Sequence, residues 1–178
     1  GLGMLEKFHV AKEDIIHIEE ERLRSVTKEI LMTQGISEKD ALLATDALIK
    51  ADLRGVESHG VSNMLRAYLG AFKSNSLNPK PNWKIVKETA SCATINSDNG
   101  LGIVVAPQAM EIAVEKAKKT GAGIVTMNNC GHLGMLAYHS MIASDNDMIG
   151  TTMAACSPRM VPTYSSVRAL GTNPISYS

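Results

Sequence analysis

The sequence predicts an α/β fold: a helical N-terminal segment followed by a mixed sheet with flanking helices. Three observations carry that expectation. Apolar residues recur at helical spacing through the first 75 residues. At Trp83 the texture changes to short β-branched runs bounded by turn residues. From there the order reads strand, helix, strand, helix, strand, which is the alternation of an α/β architecture. The turn-rich stretch "NSLNPKPN" separates a helical segment at 1–78 from an α/β region at 79–178.

In the helical part, Leu23, Val26 and Ile30 mark a first helix, and Gly35 supplies its stop. Ser37 reads as the N-cap of a second helix, with Asp40 three residues on as a weaker relative of the capping box. Ala41, Ala44, Leu48 and Ala51 line one face of that helix, which is expected to end near Gly55. A third helix is expected from Asn63 to Phe72, with Leu65 and Leu69 on one side and Ser58 as a candidate N-cap.

Beyond the boundary, "WKIVKE" alternates as a half-buried strand does, and "CATIN" reads as a second strand. "APQAMEIAVEKAKKTG" places Ala109, Ile112, Ala113 and Lys116 at helical spacing and ends on Gly121. "GIVTMN" at 123–128 reads as a short buried strand, "LGMLAYHSMIASDN" as a helix and "MIGTTMAA" as a further strand. There is no internal repeat and no low-complexity tract.

Composition excludes several function classes. The chain has 178 residues, enough for one domain with a proper core, and its 18 basic and 18 acidic residues balance without long blocks of either sign. A nucleic-acid binder carries a basic stripe, and none is present; cationic membrane attachment has no support either. No apolar run approaches the roughly 18 residues that a membrane span needs. The opening stretch lacks the order of a secretory leader, and Cys92, Cys130 and Cys156 are too few and too scattered for a disulfide framework. A cytoplasmic home is therefore expected. No metal site is expected: Cys130 and His132 are close in sequence, but no second ligand pair accompanies them.

Two histidines raise a chemical question. In "NNCGHLGML", His132 follows a strand, precedes a helix and is flanked by Gly131 and Gly134. In open α/β sheets ligands bind beyond the carboxyl ends of strands. The glycines either supply positive φ angles or permit close backbone approach, and a helix N-terminus favours developing negative charge. An imidazole there can exchange a proton near neutral pH. The structural alternative is that the glycines merely cap a turn. In "ESHGV", His59 sits at a joint between helices beside Ser58. Adjacent Ser and His side chains point apart, and no G-x-S-x-G elbow is present, so a hydrolase triad is not supported. "DNGLGIV" lacks the G-x-G-x-x-G order of a dinucleotide fingerprint. His9 and His17 read as solvated, and His139 as a helix-surface or packing residue.

Four segments, "ADLRGVESHGVSNMLRAYL", "GHLGMLAYHSMIA", "ACSPRMVP" and "LGTNPIS", occur here in that order. Together they make the chain, from about residue 20 onward, resemble the type-2 malate/L-lactate dehydrogenase family. That family includes ureidoglycolate, sulfolactate and diketogulonate oxidoreductases. The resemblance implies a non-Rossmann α/β fold and an NAD- or NADP-dependent enzyme that interconverts a 2-oxo acid and a 2-hydroxy acid. It also implies a homodimer with its active site near the subunit interface. By position, His132 matches the G-H-x-G histidine, a proposed proton donor and acceptor of the family, and His59 the S-H-G histidine, which has been assigned the acid role in some relatives. Ser58 belongs to the same substrate-facing segment. Ser157, Pro158, Gly171 and Thr172 fall in the stretches that meet the cofactor, and Thr172 and Asn173 lie in the G-T-N-P turn near nicotinamide and substrate.

The sequence departs from the family at one of these positions. Many relatives carry an arginine four residues after the S-H-G histidine to hold the substrate carboxylate; here that residue is Asn63. A neutral amide cannot make the bidentate charged pair. Arg66 lies three residues further on a helix, near enough to serve the same face. The mechanism expected from this pattern has His132 supply the proton while His59 and Ser58 orient the carbonyl; the competing assignment exchanges the two histidines, and if they share a site their titrations are coupled. A non-catalytic binding or dimerisation module, or an inactive fragment, of the same family is the alternative reading. The resemblance further leads to the expectation that these residues are about half of a working enzyme and turn over slowly or not at all alone. The strand-like "LGTNPISYS" would leave an open edge without neighbours.

Overall fold

The computed structural model describes residue 13 and residues 15–178; His9 lies outside the described residues. Two compact units emerge. The first contains the described residues up to Asn82 together with Asp98–Val104 and Asn129–Met135; the second contains Trp83–Ser97, Val105–Asn128 and Leu136–Ser178.

The first unit is built from helices α1 (Glu20–Met32), α2 (Glu38–Leu53) and α3 (Val61–Lys73), with a 3₁₀ turn at Glu57–His59 before α3. The buried line of α1 is Thr27 and Leu31, whereas Val26 is 45% exposed. The expected Leu23–Val26–Ile30 stripe is therefore rotated: Thr27 and Leu31, four apart, face the core. At the start of α2, Ser37 Oγ accepts from the Asp40 backbone N–H at 3.2 Å and donates to Asp40 Oδ2 at 2.8 Å. Ala41, Ala44, Leu48 and Ala51 are all buried, as their spacing predicts, and the small alanines let neighbouring helices approach closely. Gly55, at φ +72°, takes the left-handed conformation that ends the helix region.

Helix α3 begins differently from the sequence reading. Its N-cap is Gly60, not Ser58, and Gly60 has no side chain to offer. The missing acceptor comes from the preceding helix: the Val61 N–H donates to Asp52 Oδ2 at 2.9 Å. The buried stripe of α3 is Leu65, Tyr68 and Phe72, with Leu69 half-buried at its border.

The second unit holds a three-stranded mixed sheet in the order β1–β2–β3. Strand β1 (Lys84–Glu88) pairs antiparallel with β2 (Cys92–Asn96), and β2 pairs parallel with β3 (Ile124–Asn128). Helix α4 (Gly102–Thr120) makes the crossover and starts earlier than expected, with Pro107 inside it. Ile95, Val105 and Ala109 form the buried centre, packed by Trp83, Ile112, Val125 and Met127. Lys116 sits on the inner face of α4 because its stem is apolar and its head reaches out. Its Nζ donates to Glu88 Oε1 and to the Thr89 carbonyl, both at 2.8 Å.

Two strands are more exposed than their patterns suggest. All five residues of β1 are exposed rather than alternating, so neither face of this edge strand is covered, and its register shifts between Ile85 and Lys87. "GIVTMN" is not a buried strand: Ile124 is 59% exposed, and β3 forms the other edge of this sheet. Helix α5 (Leu136–Ser144) follows, and His139 is buried in it, edge-on to Tyr138. Strand β4 (Thr151–Met153) does not extend the first sheet; it pairs antiparallel with β5 (Ile175–Tyr177) in a separate two-stranded sheet. Among the described residues, no helix is long and apolar enough to cross a membrane.

Candidate functional site

His132 lies between β3 and α5 in the chain, in a loop that belongs to the first unit. The loop is pinned by backbone bonds from Asn99 N–H to the Asn129 carbonyl and from Gly131 N–H to the Gly100 carbonyl, both 2.8 Å. The two glycines that flank His132 work in different ways. Gly134, at φ +64°, makes the left-handed turn, and Gly131 permits close approach: a Cβ there would lie 2.5 Å from Leu77 Cδ2. Gly102, at the start of α4, is as tightly held; a Cβ on it would meet the Gly131 carbonyl oxygen at 2.4 Å and the His132 carbonyl oxygen at 2.6 Å. The glycines of "DNGLGIV" thus act here as a seat for the histidine loop.

The His132 ring is held on three sides. Tyr68 Oη is 2.9 Å from Nδ1, and the Gly134 N–H donates to the same Nδ1 at 3.3 Å. Tyr68 is 3% exposed, and burial pushes its phenol pKa up, so it remains protonated and available as a donor. A backbone N–H can only donate. With both donors aimed at Nδ1, a neutral His132 carries its proton on Nε2. On the ring's face, His59 stacks at a centroid distance of 5.3 Å and an interplanar angle of 18°.

His59 comes from the 3₁₀ turn, and, contrary to the expectation that neighbouring side chains point apart, its Nδ1 lies 2.8 Å from Ser58 Oγ, because the turn brings the two side chains to one side. A hydroxyl both donates and accepts, so this contact persists in either protonation state of the ring. Burial lowers the pKa of His59, and burial together with the positive charge of His59 lowers that of His132. The two imidazoles therefore resist being charged together.

The turn beneath His59 is anchored at both ends. Asp52 caps Val61, and Asn63 Nδ2 donates to the Glu57 carbonyl at 2.8 Å. Burial raises the pKa of Asp52. Arg66 is exposed on α3. His17 is exposed. Among the described residues, no three His, Cys, Asp or Glu side chains gather to hold a metal ion.

The structure thus brings together Ser58, His59 and His132, with Asn63 at the base of the turn, all within the first unit. Sequence reasoning missed Tyr68, Asp52 and Gly102. A signal for Tyr68 was present: it falls on the Leu65–Phe72 stripe, and a buried tyrosine hydroxyl seeks a partner. No comparable local signal marks Asp52 or Gly102.

The remaining predicted residues lie in the second unit. Ser157, Pro158, Thr172 and Asn173 are exposed, and the two stretches that carry them are drawn together by Asn173 Oδ1, which accepts from the Cys156 N–H at 2.9 Å. Gly171 makes this possible, since a Cβ there would lie 2.2 Å from the Cys156 carbonyl oxygen. Asn173 adopts a positive φ of +39°.

Comparison with known proteins gives one consistent result. Residues 18–178 match the family described as malate/L-lactate dehydrogenase. The chain is 42% identical over 173 residues to a malate dehydrogenase of Pyrococcus abyssi, covering 97% of this chain and 47% of that protein. It is 43% identical over 148 residues to an L-sulfolactate dehydrogenase of Methanocaldococcus jannaschii, covering 83% of this chain and 43% of the other. A solved malate dehydrogenase from Pyrococcus horikoshii OT3 superposes with a TM-score of 0.91 at 40% identity, over 95% of this chain and 48% of the other. The chain spans about half the length of the curated relatives it matches.

Proposed function

The chain belongs to the malate/L-lactate dehydrogenase family, and from that premise we propose that it serves an oxidoreductase interconverting a 2-oxo acid and a 2-hydroxy acid with NAD or NADP. The observation that carries this reading is the His59–His132 stack, with Tyr68 and Ser58 each holding one Nδ1. A module that only binds or dimerises has no need of paired imidazoles whose ring orientations are set.

Reduction of a ketone to an alcohol takes a hydride at carbon and a proton at oxygen. A bound nicotinamide supplies the hydride; the proton and the grip on the substrate must come from the protein. Ser157, Pro158, Gly171 and Thr172 would hold the cofactor. The exposed Ser157 and Thr172 hydroxyls, beside the close backbone approach at Gly171, suit a carboxamide or ribose group. Thr172 and Asn173 would face the reacting end; with Asn173 Oδ1 engaged, its amide nitrogen is left to donate.

The two donors on His132 Nδ1 favour the exchanged roles for the histidines. An imidazolium must donate from both nitrogens, and the Gly134 N–H opposes a proton on Nδ1. His132 then acts as a neutral Nε2–H donor to the carbonyl oxygen. His59 can carry the transferable proton, because Ser58 accommodates either state of its Nδ1. With Asn63 bonded to the turn, Arg66 is the cation on α3 proposed to meet the substrate carboxylate. The reading extends to a homodimer, which rests on the family resemblance, and to the cytoplasm, consistent with three cysteines in no disulfide.

The test follows the absorbance of reduced nicotinamide with a panel of 2-oxo acids. Turnover that falls roughly 10²–10⁴-fold in His59→Gln, with loss of the ionisation in the pH profile of kcat/KM, supports the assignment. His132→Gln should lose rate but keep that ionisation. Loss of the ionisation in His132→Gln alone would return the proton to His132, and wild-type rates in both variants would remove the pair from the mechanism.

A further inference from the structure

We propose that Asp52 is a positioning residue for the acid–base pair: its carboxylate, with the Asn63 amide as a second tether, holds the Glu57–Gly60 turn so that His59 lies against His132. The inference rests on the reading of His59 as part of that pair. A 3₁₀ turn of three residues has poor hydrogen-bond geometry and cannot hold a ring in place by itself. Its own bonds are His59 N–H to the Val56 carbonyl at 2.9 Å and Gly60 N–H to the Glu57 carbonyl at 3.1 Å.

Asp52 supplies what the turn lacks. Standing next to the last residue of α2, it reaches past the turn and takes the Val61 N–H at 2.9 Å, tying the start of α3 to the end of α2. Its carboxylate lies directly over Gly60: a Cβ there would fall 1.6 Å from Oδ1 and 2.3 Å from Cγ. Gly60 is therefore glycine because Asp52 occupies the space a side chain would take. From the other side, Asn63 Nδ2 bonds the Glu57 carbonyl at 2.8 Å. The Asn63 amide is thus spent on the turn. The chain holds its histidine by backbone at both ends, and Asp52 acts through Gly60 and Val61.

The experiment compares Asp52→Ala, Asp52→Asn, Gly60→Ala and the Asp52→Ala/Gly60→Ala double variant of the purified protein. It reads kcat, KM for NADH, and the ring proton resonances of His59 and His132. Asp52→Ala is expected to lower kcat roughly 10- to 100-fold, as a displaced catalytic group does, leave KM for NADH unchanged, and shift both ring resonances. Asp52→Asn should stay close to wild type, since its amide oxygen accepts the same N–H. Gly60→Ala should mimic Asp52→Ala by pushing the carboxylate aside, and the double variant should be no worse than either single one. Wild-type resonances and kcat in Asp52→Ala, or losses that multiply in the double variant, overturn the proposal. If Asp52→Ala does not fold, Asn63→Ala decides it: shifted His59 resonances support the clamp and unshifted ones refute it. If the wild type turns over no 2-oxo acid, the ring resonances decide the positioning by themselves.

Discussion

Gly102→Ala is a sharp test of how the site is seated, because local and tertiary effects predict opposite signs. Gly102 is the first residue of α4 and does not adopt a positive φ, so alanine is conformationally allowed there. On helix propensity alone the change should stabilise by up to about 1 kcal/mol. Against this, the added methyl would sit 2.4 Å, 2.6 Å and 2.8 Å from backbone atoms of Gly131 and His132. These are main-chain atoms pinned by the Gly131–Gly100 and Asn129–Asn99 bonds, so no side chain can rotate away. The loop must retreat by about 0.6 Å to reach the 3.0 Å below which such contacts essentially never occur. Overpacking of this kind costs typically ~1–3 kcal/mol. Three backbone clashes belong at the upper end, leaving a net loss of about 1–2 kcal/mol after the propensity gain. The displaced part is the one that carries His132. If a 1 Å misplacement costs 10²-fold, a shift of this size should lower kcat roughly tenfold. Denaturant unfolding gives the stability and the nicotinamide assay gives the rate. A Gly102→Ala protein that is more stable than wild type and equally active would refute the seating argument.

Three further outcomes follow from the same geometry. Tyr68→Phe removes one of two donors to His132 Nδ1 at a cost of about 0.5–1.5 kcal/mol, and ¹⁵N spectra of the ring should show more Nδ1-protonated tautomer; an unchanged tautomer would mean Gly134 suffices. Arg66→Gln should raise KM for 2-oxo acids and leave NADH affinity unaltered, and an unaffected KM would point to another cation. Both site histidines have folded pKa values below their ordinary 6.5. The unfolded chain therefore binds more protons, and the stability present above pH 6.5 is lost as pH falls through the folded values. His59→Gln and His132→Gln should each flatten that decline, and an equally steep loss in both would assign it to other groups.

Much of this protein is legible in its residue order. The alanine face of α2, the Ser37–Asp40 cap, the β2–α4–β3 crossover and the location of His132 beyond a strand all follow from local periodicity and turn chemistry. So does the family, because its motifs are contiguous strings. The misjudged elements share a cause. Whether "WKIVKE" and "GIVTMN" are covered depends on what packs over the faces of their strands, and each stands at a sheet edge. The buried face of α1 depends on what α2 presents to it.

The site divides in the same way. Sequence alone determined that Ser58, His59 and His132 are chemically apt and that Asn63 cannot act as an arginine, since both statements concern side-chain chemistry at a position. Only the tertiary structure decided that His59 stacks on His132, that Tyr68 and Gly134 place the proton of a neutral His132 on Nε2, and that Asp52 fills the space above Gly60. Those contacts join residues from separate helices and loops, and their distances and donor directions exist only once packing has brought the backbone segments together.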